Sequence, residues 1–243
     1  MSVELSIVIP CYNEGGNIHL IISRLQEIIA ANVNIEVVLV ENGSTDNSKE
    51  VFKRELTKVN PEIFKLNIVP KNMGYGYGVL SGLEAASGRV LAWTHADMQT
   101  DPADVLEALK VYNQCNDPYT FVKGKRKNRN WLEVVFTFGM QVIANIALKV
   151  KLDDINAQPK LFSREFFVRF IQSKAPHDFS LDLYALCMAK KHCNYILEIP
   201  VMFNKRMHGE AKGGGSWKTR IKLIKRTLKY IFELRDYLKS IPQ

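Results

Sequence analysis

Short apolar runs alternate with stretches of helical spacing along the first hundred positions. Residues 5–10 (Leu-Ser-Ile-Val-Ile-Pro), 35–40, 66–69 and 89–94 each read as strands, because an apolar run bounded by polar loops suits a strand covered on both faces. Between the first two, Ile18, Ile21, Ile22, Leu25, Ile28 and Ile29 recur at a spacing that lays one apolar stripe along a helix. Helical segments also separate the later strands, and Asp101-Pro102 marks a helix start after the fourth. Strand and helix in alternation predict right-handed βαβ units around a mostly parallel sheet, which is the α/β class.

Each strand runs into a polar loop. These are Cys11-Tyr12-Asn13-Glu14-Gly15-Gly16, Glu41-Asn42-Gly43-Ser44-Thr45-Asp46, Lys71 to Gly78, and His95-Ala96-Asp97-Met98-Gln99. In a parallel sheet all four fall on the carboxyl edge, where open α/β sheets bind ligands. They therefore predict one site. An imidazole, a carboxylate and an amide oxygen at positions 95, 97 and 99 suit a divalent ion such as Mn²⁺ or Mg²⁺. The same residues also suit a strand-end loop that bonds its own backbone. Gly74, Gly76 and Gly78 resemble a phosphate-cradling run, but their spacing matches neither the dinucleotide fingerprint nor the P-loop, and ordinary loop glycines account for them equally well.

The 243 residues, 47% of them apolar, suffice for one substantial core. Four cysteines without metal-ligand spacing fit a reducing compartment, and the N-terminal stretch lacks a signal-peptide layout, so a cytoplasmic location is expected. The charge is uneven. Eleven Lys and Arg face three acids between Asn204 and Lys239, which accounts for the whole net charge of +8. An anionic partner is implied. Nucleic acid is not expected, since no base-reading motif accompanies the basic segment.

Two segments bear on the form of that partner. Residues 131–150 are long and apolar but broken by Glu133, Gln141 and Asn145, which predicts a core or interfacial helix and not a membrane span. Beyond Gly213-Gly214-Gly215, a hinge by composition, residues 217–238 predict a basic amphipathic helix. Ile221, Ile224, Leu228, Ile231 and Leu238 share one face of it, and Lys218, Lys222, Lys225, Arg226 and Lys229 occupy the others. Such a helix suits an anionic membrane surface, or packs on the domain with its basic side in water.

Taken together, the four loops in this order resemble the family 2 glycosyltransferases of the GT-A fold. The carrying motifs are Ile9-Pro10-Cys11-Tyr12-Asn13-Glu14, Val40 to Asp46, Asn72 to Gly78, and His95 to Gln99. Phe179-Ser180-Leu181-Asp182-Leu183, Tyr195 to Val201, and Arg206-Met207-His208-Gly209-Glu210-Ala211-Lys212 are most similar to the dolichol- and polyprenyl-phosphate mannosyl- and glucosyltransferases. Three departures stand out. His95 replaces the first acid of Asp-x-Asp, Glu41-Asn42 replaces Asp-Asp, and Ala157-Gln158-Pro159-Lys160 replaces Ser-Gly-Phe-Arg.

The resemblance implies a catalytic domain over residues 1–212, with residues 213–243 as a membrane-surface helix. It implies an inverting, metal-dependent transfer from a UDP- or GDP-linked sugar, with Mn²⁺ or Mg²⁺ steadying the diphosphate. Asp97 and Gln99 are the implied metal ligands, and His95 either joins them or contacts the phosphates. Pro10, Tyr12, Glu14 and Glu41 are placed at the nucleoside, Lys71 and Gly74 at the diphosphate. Acceptor chemistry stays open. A sugar hydroxyl in glycan assembly needs a general base, for which Asp178 and Asp182 are candidates. A polyprenyl phosphate needs charge compensation instead, for which Lys123, Lys125, Arg126, Arg206 and Lys212 are candidates. A nucleotide-binding module without catalysis is the remaining reading.

Overall fold

The computed structural model describes residues 3–29, 34–128, 131–208 and 217–240, the side chains at 131–138, 140, 217–220, 222–223 and 240 excepted. Among the described residues the strands are β1 (Leu5–Cys11), β2 (Ile35–Asn42), β3 (Phe64–Val69), β4 (Val90–Trp93), β5 (Thr120–Lys127), β6 (Lys160–Ser163) and β7 (Tyr195–Met202). They form one sheet in the order β3-β2-β1-β4-β6-β5-β7. Around it lie α1 (Ile18–Ile29), α2 (Ser48–Leu56), α3 (Tyr75–Ala85), α4 (Asp104–Cys115), α5 (Trp131–Leu148), α6 (Arg164–Phe166, continued by a π-helical turn Phe167–Ile171), α7 (Leu181–His192) and α8 (Trp217–Ser240).

The expected α/β class and mostly parallel sheet are observed, with one reversal. β1 pairs in parallel with β2 and β4, β2 with β3, and β5 with β7, whereas β6 runs antiparallel to β4 and β5. Alternation along β1 divides the core. Leu5, Ile7 and Ile9 join the cluster under α1, α2 and α4, while Val8 joins the one under α3, α5, α7 and α8. Both faces are apolar, so β1 reads as a near-continuous apolar run in sequence.

α8 packs into the second cluster. Ile231 and Leu234 are fully buried there, and Leu228 and Leu238 lie against it. Ile221, expected on the same face, is half exposed at 50%. No helix among the described residues is long and apolar enough to cross a membrane.

Candidate active site

The parallel strands deliver their loops to one edge, as expected, and the reversed strand adds to it. Because β6 runs opposite to β4, the segment leading into it arrives at the edge where β4 ends. A cleft of about 200 Å³ lies there, lined by His95, Asp97, Gln99, Thr100, Arg126, Asn156, Gln158, Phe203 and Arg206. These come from the loop after β4, the end of β5, the approach to β6 and the segment after β7.

Asp97 is the carboxylate of this lining and is buried, at 5% exposure. Its Oδ1 accepts from the Gln99 amide at 3.1 Å, and its Oδ2 accepts from the Arg206 guanidinium at 2.7 Å. Arg206 also reaches Glu14 Oε1 at 3.4 Å, and Glu14 Oε2 accepts from Asn17 Nδ2 at 2.6 Å. The backbone after β7 is tied down beside it. The Asn204 amide donates to the Gln99 carbonyl at 2.8 Å, and Gln99 Nε2 donates to the Asn204 carbonyl at 3.1 Å. Arg126 is anchored by Asp154 through its Nε at 2.9 Å, with its guanidinium over the Phe203 ring at 5.2 Å.

His95 stands beside Asp97 with Nε2 hydrogen-bonded to the Tyr75 hydroxyl at 3.1 Å. Burial lowers the pKa of His95, against the pull of Asp97 and Asp182, and favours the neutral ring. Tyr75 opens α3. Its oxygen accepts from Trp93 Nε1 at 3.2 Å, and burial, then the Asp182 charge, raises its pKa well above the usual value. Beneath the cleft, Asp182 Oδ1 accepts from Gln158 Nε2 at 2.9 Å and from the Lys160 ammonium, with Lys160 fully buried. Desolvation lowers the Lys160 pKa, and the Asp182 carboxylate opposes it.

The first two loops are laced to each other. The Asn13 amide donates to Ser44 Oγ at 3.1 Å, and Asn13 Oδ1 accepts from the Thr45 amide at 2.8 Å. Asn13 holds a left-handed φ of 55° to do so. Glu41, 1% exposed, accepts from the Ser44 amide at 2.5 Å through Oε1, while its Oε2 is buried without a hydrogen-bond partner. A buried, unpaired carboxylate oxygen is costly, and a ligand N–H would relieve it.

Other expected site residues are placed differently. Asp178 accepts from the Ser180 amide at 2.8 Å and pairs with Arg226 of α8 at 3.0 Å, so it fixes the turn before α7 and ties down α8. Lys71 is exposed. Gly74 takes a φ of 118°, and a Cβ there would sit 2.2 Å from the His177 carbonyl, so close approach of the 176–178 backbone requires this glycine. Lys123 is buried and pairs with Glu198 at 3.0 Å, and Lys125 pairs with Glu198 and Asp153. Lys212, Glu210 and Gly213 to Gly215 lie outside the described residues. Tyr75, Trp93 and Phe203 were not singled out by the sequence; the donor groups of the first two were the available signal.

Among the described residues, no group of three His, Cys, Asp or Glu converges as a self-sufficient metal cage. Mg²⁺-like ions are commonly held by one or two carboxylates together with substrate phosphates and water. Asp97 with the Gln99 carboxamide fits a cation that arrives with a diphosphate, once Arg206 yields Oδ2.

Residues 6–171 match the family model described as "Glycosyl transferase family 2", and the chain belongs to that family. It is 27% identical over 237 residues to the dolichyl-phosphate beta-glucosyltransferase ALG5A of Trichomonas vaginalis, covering 92% of this chain and 73% of that one. It is also 27% identical over 241 residues to the dolichol-phosphate mannosyltransferase of Pyrococcus furiosus, covering 97% of this chain but only 64% of the relative. Its fold matches glucosyl-3-phosphoglycerate synthase from Mycobacterium tuberculosis, solved with Mn²⁺, UDP and glucosyl-3-phosphoglycerate, at a TM-score of 0.68 and 15% identity over 99% of this chain and 81% of that one. The fold is thus the GT-A fold that the sequence resemblance implied.

Proposed function

We propose that the protein is an inverting transferase that moves a sugar from a nucleoside diphosphate to a polyprenyl phosphate at an anionic membrane surface. One observation carries the acceptor assignment. The cleft presents two guanidinium groups, Arg126 and Arg206, and its carboxylate, Asp97, is already bonded to Arg206. A hydroxyl acceptor needs a carboxylate with a free oxygen to take its proton. Asp182 is buried beneath Gln158 and bonded to Lys160, and Asp178 faces α8. A phosphate arrives ionised and needs cationic donors instead. Two relatives act, by name, on dolichyl or dolichol phosphate, which supports the same reading.

In this scheme an acceptor phosphate oxygen forms a bond to the anomeric carbon as the bond to the diphosphate breaks. The electron pair leaves with the diphosphate. Asp97 and Gln99 would hold Mn²⁺ or Mg²⁺, which supplies charge neutralisation to the leaving group. Glu41 Oε2 accepts an N–H of the base, with Pro10 near the end of β1 and Tyr12 and Glu14 in the loop after it. Arg126 holds the acceptor phosphate, and Asp154 fixes its orientation.

For the membrane, Val142, Ile143 and Ile146 of α5 and Ile221 and Phe232 of α8 are exposed, as are Lys225 and Lys229 of α8. Exposed apolar side chains on a helix that also carries exposed cations suit the interface of an anionic leaflet. Residues 1–212 then act as the catalytic unit and 213–243 as the membrane-contact segment.

The test supplies a panel of UDP- and GDP-sugars with Mn²⁺ and short polyprenyl phosphates in anionic vesicles. A glycosyl polyprenyl phosphate product, lost in Asp97→Asn, supports the reading. Transfer to glycan hydroxyls but not to phosphates, or nucleotide binding without any transfer, overturns it.

A further inference from the structure

We propose that Tyr75 is a positioning residue that holds His95 in its Nδ1-protonated form, so that His95 faces the cleft as a hydrogen-bond donor to the diphosphate and not as a metal ligand. The identity of the anion rests on the nucleotide-sugar reading above. The tautomer rests on hydrogen-bond direction alone.

An indole N–H can only donate. Trp93 Nε1, 3.2 Å from the Tyr75 oxygen, therefore occupies one of its lone pairs. The tyrosine proton must then go to an acceptor, and His95 Nε2 is 3.1 Å away. Asp182 is the competitor for that proton, since it also acts on the Tyr75 hydroxyl. The short contacts of the Tyr75 oxygen, however, are to Trp93 Nε1 and His95 Nε2, while Asp182 Oδ1 accepts from Lys160 and Gln158. A phenol that donates to Nε2 leaves the hydrogen of the neutral imidazole on Nδ1.

The rings are fixed as well as bonded. Tyr75 stacks on Phe179 at 5.3 Å and 9°, and meets His95 edge-on at 5.6 Å and 78°. With Nε2 committed to Tyr75, Nδ1 is the nitrogen left for whatever enters the cleft. Carrying a hydrogen, it has no lone pair for a cation, but it suits an anionic oxygen. An imidazole at position 95 thus substitutes a donor to the leaving group for a second carboxylate. The cation keeps Asp97, Gln99 and the diphosphate oxygens.

Long-range ¹H–¹⁵N spectra of the ¹⁵N-histidine-labelled full chain test the tautomer, with His95→Gln assigning the signal among the five histidines. The expected spectrum shows His95 Nδ1 protonated and Nε2 bare, and Tyr75→Phe is expected to mix the two forms. A protonated Nε2 with a bare Nδ1 in the wild-type chain overturns the proposal, whatever the variant does. Calorimetry with UDP and GDP across a Mn²⁺ series tests the role. His95→Gln should weaken diphosphate binding about tenfold or more, with the Mn²⁺ concentration for half-maximal binding unchanged. A raised Mn²⁺ requirement would instead identify His95 as a ligand and overturn it. Should neither UDP nor GDP bind the wild-type chain, the donor class fails, while the spectra still decide the tautomer.

Discussion

The Arg206 guanidinium donates to Asp97 Oδ2 at 2.7 Å, so a side chain from beyond the last strand neutralises the buried acid in the loop after the fourth. Arg206 reaches Glu14 as well, which makes it a bridge between the loop after β1 and the loop after β4. In the proposed scheme a guanidinium and a divalent cation are rivals for that oxygen.

That rivalry gives a signed expectation. Arg206→Gln should tighten Mn²⁺ binding to the nucleotide-free protein several-fold, because Asp97 loses its counter-charge. Electron paramagnetic resonance of free Mn²⁺ measures this directly. The same variant should slow sugar transfer about tenfold or more, through loss of a cationic donor in the cleft. Unchanged Mn²⁺ affinity would mean that Arg206 and the metal do not meet at Asp97.

Lys160 and Asp182 form a buried ion pair, and removing one partner strands the other. Lys160→Met should lower stability by about 3–5 kcal/mol, read from urea unfolding. Adding Asp182→Leu should recover most of that loss, since two apolar side chains need no counter-charge. If the double variant is no better than the single, the pair contributes through packing alone.

Glu36 sets an acid limit on the fold. It is 1% exposed. Burial alone would raise its pKa, but donors from Lys65, Ser6 and Ser87 outweigh this and bring it to about 2, against the ordinary 4.5. The folded value lies below the unfolded one. The ionised carboxylate therefore contributes stability above about pH 4.5, of order 2–3 kcal/mol, and the contribution is lost as pH falls toward 2. Glu36→Gln should flatten the stability–pH curve across that window and leave a less stable protein at neutral pH, as denaturant midpoints would show.

Gly74→Ala combines a left-handed backbone with a clash against the His177 carbonyl. A loss of about 1–3 kcal/mol is expected, together with faster amide exchange at Tyr77, whose N–H donates to that carbonyl at 3.0 Å. Exchange at Tyr77 that matches the wild type would mean the 176–178 segment moves aside without cost.

Much of the nucleotide side was legible because strands buried on both faces appear as apolar runs and their polar loops interrupt the pattern. β1, β2 and the loops at positions 11–16, 41–46 and 95–99 could be placed that way. β6 could not. Its four residues begin with a buried lysine, made tolerable inside the sheet by the ion pair with Asp182 and a hydrogen bond to the Ala157 carbonyl. The partner of Asp178 was equally hidden, since nothing local connects it to Arg226 on α8. Tyr75 was masked by the glycines around it: the run read equally as a phosphate cradle or as ordinary loop glycines, and Gly74 and Gly76 face the backbone of residues 176–178. Lys123 and Lys125 read as candidates to hold an anionic acceptor, but one lies in the interior and both pair with Glu198.

The backward course of β6 has an evolutionary corollary. It forms a seam: strands on one side carry the loops assigned to the nucleotide, and strands on the other carry Arg126 and Arg206. Diversification can thus rewrite the far bank to suit a new recipient while the near bank goes on handling the same kind of activated sugar.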